Sequence, residues 1–465
     1  MGIMAHISDP VCPLDYRYGR EDMKSLLSYP ARVNYILRVE AALVETLSEY
    51  GLVPPDAAEE VGKKANLNYV SVRRVEEIEA EIKHDLMAIV KALTEVCEGE
   101  AGRYIHLGVT SYDIIDTAIA LQLKDSLNII EEDLRDIIKV LAHAAKRYRE
   151  TPMMGRTHGQ HALPITLGLK ISVWVAEFLR HYDRLQEIKK RILVGKISGA
   201  TGSGAALKAF GVEDTIEFEK RLLQKLGLGR ELGSTQIVQR DRHNELISFL
   251  SNISTTVEKI ATEIRTLQRT EIGELYEGFN VKTQVGSSTM AHKRNPITLE
   301  NITGLARIVR GFLDPTFESS IQWNERDLSN SSAERFTIPH ALILTDDILV
   351  KLRGVVENLG VDEEKMLKNI YLSKGAIMAE ALMIALVRKG MGRQEAHELS
   401  RKVAMRAQER DEQMLDSALQ NETIKKLFAK DELKGILDPL SYLGDSARRC
   451  DAVIKEAARV LGEKL

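Results

Sequence analysis

The longest stretch of the chain without a helix-breaking residue places the tightest limit on its fold. From Tyr112 to Thr151 neither proline nor glycine occurs, a run of roughly 40 residues that would extend about 60 Å as one helix. Within this run, leucine and isoleucine recur at alternating spacings of four and three residues. That heptad pattern is typical of a helix that packs along its length on other helices. The residues of this first seam are Leu123, Leu127, Ile130, Leu134, Ile137 and Leu141.

Two further windows also predict long helices. One runs from Thr235 to Ile272 and carries a second apolar seam, and the other runs from Ile165 to about Val194. Strand-like alternation bounded by turn residues is hard to find anywhere in the chain. We therefore predict an all-α fold with a central bundle of very long helices. The residues of the second seam are Leu246, Leu250, Ile253, Val257, Ile260, Ile264 and Leu267.

Proline and glycine breaks divide the chain into three predicted domains. Residues 1–109 carry shorter helical patterns, residues 110–360 hold the long helices, and residues 361–465 form a second region of shorter helices. The helices of the middle domain offer two or three apolar sides, which is more than a single three-helix unit can bury. We therefore expect several chains to combine their long helices in one larger bundle. A monomeric coiled-coil spacer is the alternative.

The charge balance and the cysteines exclude several function classes. Lys and Arg total 64 against 68 Asp and Glu, so the chain lacks the basic surplus that nucleic acid or an anionic membrane requires. No apolar run is long enough to predict a membrane span. Cys12, Cys97 and Cys450 form no CxxC pair, which argues against a zinc site or a disulfide framework. A reducing, cytoplasmic setting fits best.

The segment VGSSTMAHKRNPITLE, residues 285–300, has the composition of an anion-binding loop. A glycine and two serines precede a histidine, a lysine and an arginine, and no acidic residue occurs before Glu300. Hydroxyl, amide and cationic donors in one loop suit a phosphate or a carboxylate. On the residues alone, binding of a phosphate, binding of a carboxylate and binding of neither remain the alternatives.

The segment GRTHGQHALPIT places two histidines three residues apart in a polar loop before a predicted helix. Metal binding by His158 and His161 is disfavoured because no HExxH motif or nearby carboxylate completes a site. A loop of this kind can instead direct an imidazole at a ligand for proton transfer. The glycine-rich residues 195–211 follow no predicted strand and lack a P-loop pattern, so we predict a tight turn between two long helices.

Two other polar segments have both a structural and a functional interpretation. Thr110 and Ser111 are predicted to cap the long helix that follows, and the free N–H groups at such a helix terminus also form an anion site. The segment WNERDLSNSSAER, residues 323–335, is either a solvated loop or an anion-binding segment. In the second case Arg326 and Arg335 would bind a phosphate or a carboxylate.

Taken together, these segments resemble the fumarase/aspartase superfamily, whose signature is a Gly-Ser-Ser loop followed by Met, Lys and Asn-Pro. The resemblance covers nearly the whole chain, and the order and spacing of the motifs are specific. It implies an all-helical, three-domain homotetramer in which three subunits contribute segments to each active site. The motifs are YRYGREDM, KHDL, HLGVTSYDIIDTA, GRTHGQHALPITLGLK, VGKISGATG, STQIVQRDRH, GSSTMAHKRNP and WNERDLSNSSAER.

The resemblance also implies a reaction in purine nucleotide biosynthesis. Fumarate would be eliminated from adenylosuccinate to give AMP, and from the earlier intermediate SAICAR to give AICAR, without a metal ion or cofactor. Another lyase activity of the superfamily is the alternative, on argininosuccinate or as a carboxymuconate cycloisomerase. From a different class, the chain could be a non-catalytic helical structural protein. Retention of both Ser287 and His158 argues against that last interpretation.

The roles of individual residues are implied by the motif positions that they match. Ser287 matches the general base and His158 the general acid. Carboxylate-stabilising donors are Lys293 and Asn295, and positions that hold the succinyl carboxylates are Thr110, Ser111 and Gln236. Positions that match contacts to the nucleotide phosphate are Arg17, Tyr18, Arg326, Ser331 and Arg335. Lys83, His84 and Asp85 match an Arg-His-Asp segment, Asn301 matches a lesser contact, and His106 is tied to the site without a defined role.

Two positions depart from the pattern of the superfamily. Lys83 stands where arginine is usual, which puts bidentate recognition at that position in doubt. Ala291 stands where proline is usual in the signature loop. Neither departure removes a proton-transfer group.

Overall fold

The computed structural model describes residues 10–278 and 293–465, and most of these residues are helical, which confirms the all-α prediction. The helices of the first half are α1 (Pro13–Tyr16), α2 (Glu21–Leu27), α3 (Tyr29–Glu49), α4 (Pro55–Lys64), α5 (Val72–Ile82), α6 (Asp85–Val96), α7 (Ser111–Arg147), α8 (Leu167–Ile192), α9 (Ala205–Phe210) and α10 (Thr215–Lys225). Those of the second half are α11 (Asp241–Leu267), α12 (Ile297–Gly311), α13 (Leu313–Glu318), α14 (Ser329–Glu357), α15 (Glu363–Tyr371), α16 (Ala379–Arg388), α17 (Arg393–Glu409), α18 (Met414–Leu419), α19 (Glu422–Leu427), α20 (Lys430–Ile436) and α21 (Ser446–Leu461). Short 3₁₀ helices span Ala101–Tyr104, Ala376–Met378 and Pro439–Tyr442.

The three predicted long helices form where the sequence places them. Helix α7 occupies most of the first breaker-free window, α11 most of the second, and α8 most of the third. Every residue of the two apolar seams is at most 2% exposed, as expected for helices that pack on neighbours along their length. A fourth long helix, α14, contains Pro339 in its interior.

The chain divides into two compact units. Unit 1 comprises the chain up to Leu134, His181–Thr255 and Gly304–Val350, and unit 2 comprises Arg135–Arg180, Thr256–Thr303 and Lys351–Leu465. Each unit boundary falls inside a helix, namely α7, α8, α11, α12 or α14. The predicted domain boundaries near residues 109 and 360 follow chain order instead, and they stay a prediction.

Each unit has its own apolar core. In unit 1, buried aliphatic residues of α3, α4 and α6 pack with those of the first part of α7 and of α10. In unit 2, α16 and α17 pack together, and buried residues of α18, α19 and α20 complete that cluster. Burial of these apolar faces supplies most of the driving force for folding.

The main departure from the sequence prediction is a β-hairpin in unit 2. Strand β1 (Pro152–Thr157) pairs antiparallel with β2 (Gln160–Thr166), and Thr157 lies opposite Gln160. The intervening residues His158 and Gly159 both have positive φ, 52° and 72°, as a two-residue type I′ turn requires. The predicted polar loop is therefore a hairpin with His158 at its tip.

Two further strand pairs are found in the described residues. Strand β3 (Val194–Gly195) pairs parallel with β4 (Gly229–Arg230), and β5 (Leu275–Tyr276) pairs antiparallel with β6 (Gly360–Val361). The prediction of a tight turn at residues 195–211 is wrong, because this segment begins a connection from α8 to α11 that contains α9 and α10.

One helix pair has the apolar length that membrane crossing would require. In the described ranges no single helix meets that requirement by itself. The pair Glu363–Tyr371 and Ala376–Arg388 meets it on length and composition only, with a 70° bend between its members.

Candidate functional site

Unit 1 brings the amino-terminal ends of three helices to one cavity of about 310 Å³. Asp85 begins α6, Tyr112 lies in the first turn of α7, and Ser331 and Arg335 lie in the first turns of α14. The polar and charged residues that line the cavity are Ser28, Tyr29, Arg32, Glu79, Asp85, Tyr112, Gln122, Ser331, Glu334 and Arg335. The rest of the wall is aliphatic.

Two guanidinium groups approach the Asp85 carboxylate in this cavity. Arg335 Nη2 lies 2.7 Å from Asp85 Oδ2, and Arg32 Nη2 lies 3.6 Å from the same oxygen. Burial lowers the pKa of Arg32, and the positive charge of Arg335 lowers it further. Each guanidinium carries five N–H donors, so one carboxylate leaves donors for an incoming phosphate or carboxylate. Arg32 did not emerge from the sequence analysis.

Arg326 lies beside Tyr112 in the same unit. Its guanidinium carbon is 3.4 Å from the centroid of the Tyr112 ring, and its Nη1 donates to Gln236 Oε1 at 2.8 Å. The Tyr112 hydroxyl donates to Ser331 Oγ at 3.2 Å. Among the residues that the structure describes, the buried Nε and Nη2 of Arg326 have no hydrogen-bond partner. Buried unpaired donors are costly, and an anionic ligand is one of the few partners that would satisfy them.

Helix α7 begins at Ser111, so Thr110 occupies the N-cap position that the sequence predicts, and the capping hydrogen bond comes from Asp113. Thr110 N donates to Asp113 Oδ2 at 2.8 Å, the side-chain-to-backbone half of a capping box. Asp113 Oδ1 also accepts hydrogen bonds from Ser198 N at 2.9 Å and Gly199 N at 3.1 Å, and it forms an ion pair with the buried Lys196. The glycine-rich segment therefore wraps around the helix terminus that carries Thr110 and Ser111.

His106 is held by a buried carboxylate in unit 1. Its Nδ1 lies 2.7 Å from Glu40 Oε1, and its backbone N–H donates to Glu40 Oε2 at 3.1 Å. Burial lowers the pKa of His106, but the hydrogen bond and negative charge of Glu40 outweigh it and leave the pKa above its ordinary value. The contact with Glu40 gives His106 a fixed orientation.

The remaining predicted residues of unit 1 lie outside the wall of the cavity. Lys83 ends α5 in the left-handed region, and His84 caps α6 by accepting a hydrogen bond from Met87 N at 3.3 Å. Arg17 Nε donates to the Tyr18 hydroxyl at 3.3 Å. Of the phosphate-contact set, Ser331 and Arg335 line the cavity, and Arg326 joins them through Tyr112.

In unit 2, His158 is exposed at the tip of the hairpin, and an ion pair fixes the strand that leads to it. Arg156 donates to both carboxylate oxygens of Glu274, at 2.8 and 2.6 Å, and Asn369 Nδ2 donates to Glu274 at 2.8 Å. Gly155 lies at a register shift between the strands, where a Cβ atom would be 2.5 Å from the Leu163 carbonyl oxygen. The turn geometry and the Arg156–Glu274 ion pair together fix the position of the backbone that carries the His158 imidazole.

The other predicted residues of unit 2 flank the amino end of α12. Lys293 is exposed, and the Asn295 carbonyl accepts a hydrogen bond from Ile297 N at 2.9 Å. Asn301 Oδ1 accepts a hydrogen bond from Lys351 Nζ at 2.7 Å. Ser287, the predicted base, and Ala291 lie outside the described residues.

Two family models match the chain. The model described as "Lyase" matches residues 15–311, and the model described as "Adenylosuccinate lyase C-terminus" matches residues 375–453. A curated adenylosuccinate lyase of Archaeoglobus fulgidus is 48% identical over 451 residues, which cover 97% of this chain and 99% of the relative. Another, of Methanocaldococcus jannaschii, is 46% identical and covers 96% of each chain.

Solved structures of similar fold have lower sequence identity. A fumarate lyase from Mesorhizobium sp. BNC1 has a TM-score of 0.87 at 31% identity, covering 96% of this chain and all of the other. A 3-carboxy-cis,cis-muconate lactonizing enzyme from Pseudomonas putida has a TM-score of 0.86 at 31% identity, covering 96% and 99%. The fold is therefore shared by enzymes that are named for different reactions, so it does not identify the substrate.

Proposed function

We propose, since the chain belongs to the adenylosuccinate lyase family, that it eliminates fumarate from adenylosuccinate to give AMP. The main support is the set of curated relatives, which are 46–48% identical over almost the whole chain and are named for this activity. The structures named for muconate chemistry are only 31% identical. That contrast favours adenylosuccinate over the alternative substrates. By the same resemblance, SAICAR is a second substrate, giving AICAR and fumarate.

The cavity of unit 1 supports a phosphorylated substrate. Arg326, Ser331 and Arg335 together offer guanidinium and hydroxyl donors, the groups that best match phosphate oxygens. We assign the nucleotide phosphate to this set, with Arg17 and Tyr18 as further contacts. Argininosuccinate has no phosphate and would leave these donors unused.

The chemical step needs a base, an acid and donors for developing negative charge. In the proposed mechanism the Ser287 oxygen removes a proton from the carbon beside a succinyl carboxylate, and Lys293 and Asn295 stabilise the charge that builds on that carboxylate. The electron pair of the broken C–H bond then forms the C=C bond of fumarate as the C–N bond breaks. His158 donates a proton to the departing nitrogen. Thr110, Ser111 and Gln236 hold the carboxylates in this scheme.

A serine-containing polar segment and a histidine from another part of the chain suit a site assembled from several subunits. We propose a cytoplasmic homotetramer in which three subunits contribute to each site, without a metal ion or cofactor. The apolar sides of the long helices support self-association of this kind.

The loss of absorbance at the ultraviolet band of adenylosuccinate tests the proposed function directly. We expect the wild-type protein to convert adenylosuccinate. Ser287→Ala and His158→Ala should each lower kcat by at least ~10²-fold, the low end for lost acid–base catalysis. His161→Ala on the same hairpin is the matched control and should retain activity. No turnover of adenylosuccinate, together with turnover of carboxymuconate or argininosuccinate, would contradict the proposal.

The same two variants test the shared site. If different subunits contribute Ser287 and His158, mixing and reassembling the two inactive proteins creates some sites with both residues intact. We expect activity to reappear in the mixture but not in either protein alone. A mixture that stays inactive after verified subunit exchange would argue against shared sites.

A further inference from the structure

Tyr112 contacts two of the three residues to which we assign the phosphate. Its ring lies against the Arg326 guanidinium, 3.4 Å from centroid to guanidinium carbon, and its hydroxyl donates to Ser331 Oγ at 3.2 Å. The side chain is buried, with 7% of its surface exposed. We infer that Tyr112 is a positioning residue that sets the phosphate selectivity of the site. This inference rests on the proposed function.

The ring orients the donors of Arg326. A guanidinium that stacks on an aromatic face keeps its N–H groups in its own plane, where they are directed at ligands around its edge. Its Nη1 already donates to Gln236, while the buried Nε and Nη2 have no hydrogen-bond partner within the described part of the chain. The attraction of the ring offsets part of the cost of burying these two donors, and a phosphate oxygen would satisfy them.

The hydroxyl of Tyr112 orients Ser331. A serine hydroxyl has one proton to donate and two lone pairs that accept. Because the Tyr112 hydroxyl donates to Ser331 Oγ, the serine proton is left to donate to another acceptor. Ser331 lies in the first turn of α14, where its N–H donates to the Leu328 carbonyl at 3.1 Å, so its backbone is also fixed. The serine proton and the two donors of Arg326 are thus both set by one side chain.

Tyr112 itself is fixed by its place in the fold. It lies in the first turn of α7, and the Arg240 guanidinium carbon is 5.9 Å from its ring centroid. Arg240 is paired with Asp116 and Glu334, so the neighbour of the ring is immobilised as well. A tyrosine held in this way can fix the orientations of Arg326 and Ser331, which it contacts.

The test compares two substrates that differ only in the phosphate. We define the phosphate ratio as kcat/KM for adenylosuccinate divided by kcat/KM for its dephosphorylated nucleoside, succinyladenosine. Tyr112→Phe removes only the hydrogen bond and should lower the ratio about fivefold. Tyr112→Leu also removes the aromatic face and should lower it about a hundredfold. Activity on the nucleoside should fall much less than activity on adenylosuccinate, whereas a purely structural role would lower both activities by the same factor.

Tyr35 provides a matched control in the same unit. It is 5% exposed, its hydroxyl donates to Asp125 at 2.6 Å, and Arg38 lies 5.1 Å from its ring centroid. Tyr35→Phe and Tyr35→Leu should leave the phosphate ratio at its wild-type value. A ratio that is unchanged in Tyr112→Leu, or that falls equally in Tyr35→Leu, overturns the inference.

Calorimetric binding of AMP and adenosine gives a second measure of phosphate selectivity, as a ratio of affinities and without catalysis. We expect Tyr112→Phe, which is nearly isosteric, to weaken AMP binding about fivefold and to leave adenosine binding unchanged. Equal weakening of both ligands overturns the inference even if Tyr112→Leu fails to fold. A wild-type protein that does not turn over adenylosuccinate would instead defeat the proposed function.

Discussion

Two guanidinium groups of unit 1 each bridge a carboxylate of α7 and a carboxylate of α14, but in different surroundings. In the first, which we call the site triad, Arg240 pairs with Asp116 at 2.7 Å and with Glu334 at 2.7 Å. All three side chains are at most 6% exposed. Arg240 also donates to the Val238 carbonyl at 2.6 Å, so each of its five N–H groups has an acceptor.

In the second, which we call the distal triad, Arg20 pairs with Asp133 at 2.9 Å and with Asp346 through Nε at 3.0 Å. The carboxylates are as buried as those of the site triad, but the Arg20 side chain is 31% exposed. Asp133 lies 17 residues beyond Asp116 on α7, or about 25 Å along the helix. Water therefore reaches the cation of the distal triad.

The triad with the buried cation lies close to candidate-site residues on α7 and α14. Glu334 lies between Ser331 and Arg335 on α14, and Asp116 lies one turn after Tyr112 on α7. A dry triad with every donor matched fixes the helix ends that hold these side chains, whereas a hydrated one allows its partners some adjustment. We infer that the arginine is completely buried in the site triad because the neighbouring site residues Tyr112, Ser331 and Arg335 must be held in fixed positions.

Removing the cation should produce the largest difference between the triads. Arg240→Met would leave two buried carboxylates without the guanidinium that they share, and we expect a loss of about 3–5 kcal/mol in the free energy of unfolding. Arg20→Met leaves carboxylates that water can reach through the vacated position, so we expect about 1–2 kcal/mol. Urea denaturation measures both values. Equal losses would show that the exposure of the cation does not distinguish the triads.

Much of the fold follows from local patterns in the sequence. The seams of α7 and α11 repeat over many turns, and periodic burial over such a length is a strong signal. The hairpin gives no such signal, because β1 and β2 are short and Pro164 lies inside β2. His158 and Gly159 fill a type I′ turn, and histidine is among the few residues other than glycine that tolerate positive φ, so the His-Gly pair was the available clue.

The candidate site was less accessible to sequence reasoning. Motif positions led to Ser331 and Arg335, which do line one cavity. They did not reveal Arg32, Tyr112 or Glu274, because each of these acts through a partner distant in the chain. Glu274, for example, meets Arg156 across 118 residues, and no periodicity reports such a pairing. The role of an isolated charged residue depends on tertiary contacts that local patterns leave open.

The pH dependence of stability tests the contribution of Glu334, one of the two carboxylates of the site triad. Burial raises the pKa of Glu334, but hydrogen bonding and electrostatic attraction from His243 and Arg240 outweigh it and lower the pKa from 4.5 to about 2. The carboxylate therefore stabilises the fold fully above the unfolded value of 4.5, and this contribution of about 3 kcal/mol is lost as the pH falls toward 2. Glu334→Gln should be less stable than wild type by about that amount at pH 7, and the difference should shrink below pH 5.

Glu219 is the control of opposite sign for that measurement. Burial raises its pKa, despite hydrogen bonds from Ile197 N and Arg230. A raised pKa contributes stability at low pH that is lost as the pH rises, so Glu219→Gln should gain relative to wild type toward neutrality. Urea denaturation between pH 2.5 and 7, in buffers of constant ionic strength, measures the stability of both variants and of the wild type. Parallel pH profiles for Glu334→Gln and wild type would contradict the assignment of Glu334.

The smallest expected effect tests the shape of the cation rather than its charge. Arg240→Lys keeps the charge but replaces a planar fork that serves two carboxylates with a single ammonium group, and we expect a loss of about 2 kcal/mol. At Arg20, water can complete the hydrogen bonds that lysine leaves unmade, so Arg20→Lys should cost about 0.5 kcal/mol. If fixed geometry is what the site triad contributes, Arg240→Lys should also lower activity on adenylosuccinate, while Arg20→Lys should not. An Arg240→Lys protein with wild-type stability and activity would show that charge alone suffices at the buried end of the helices.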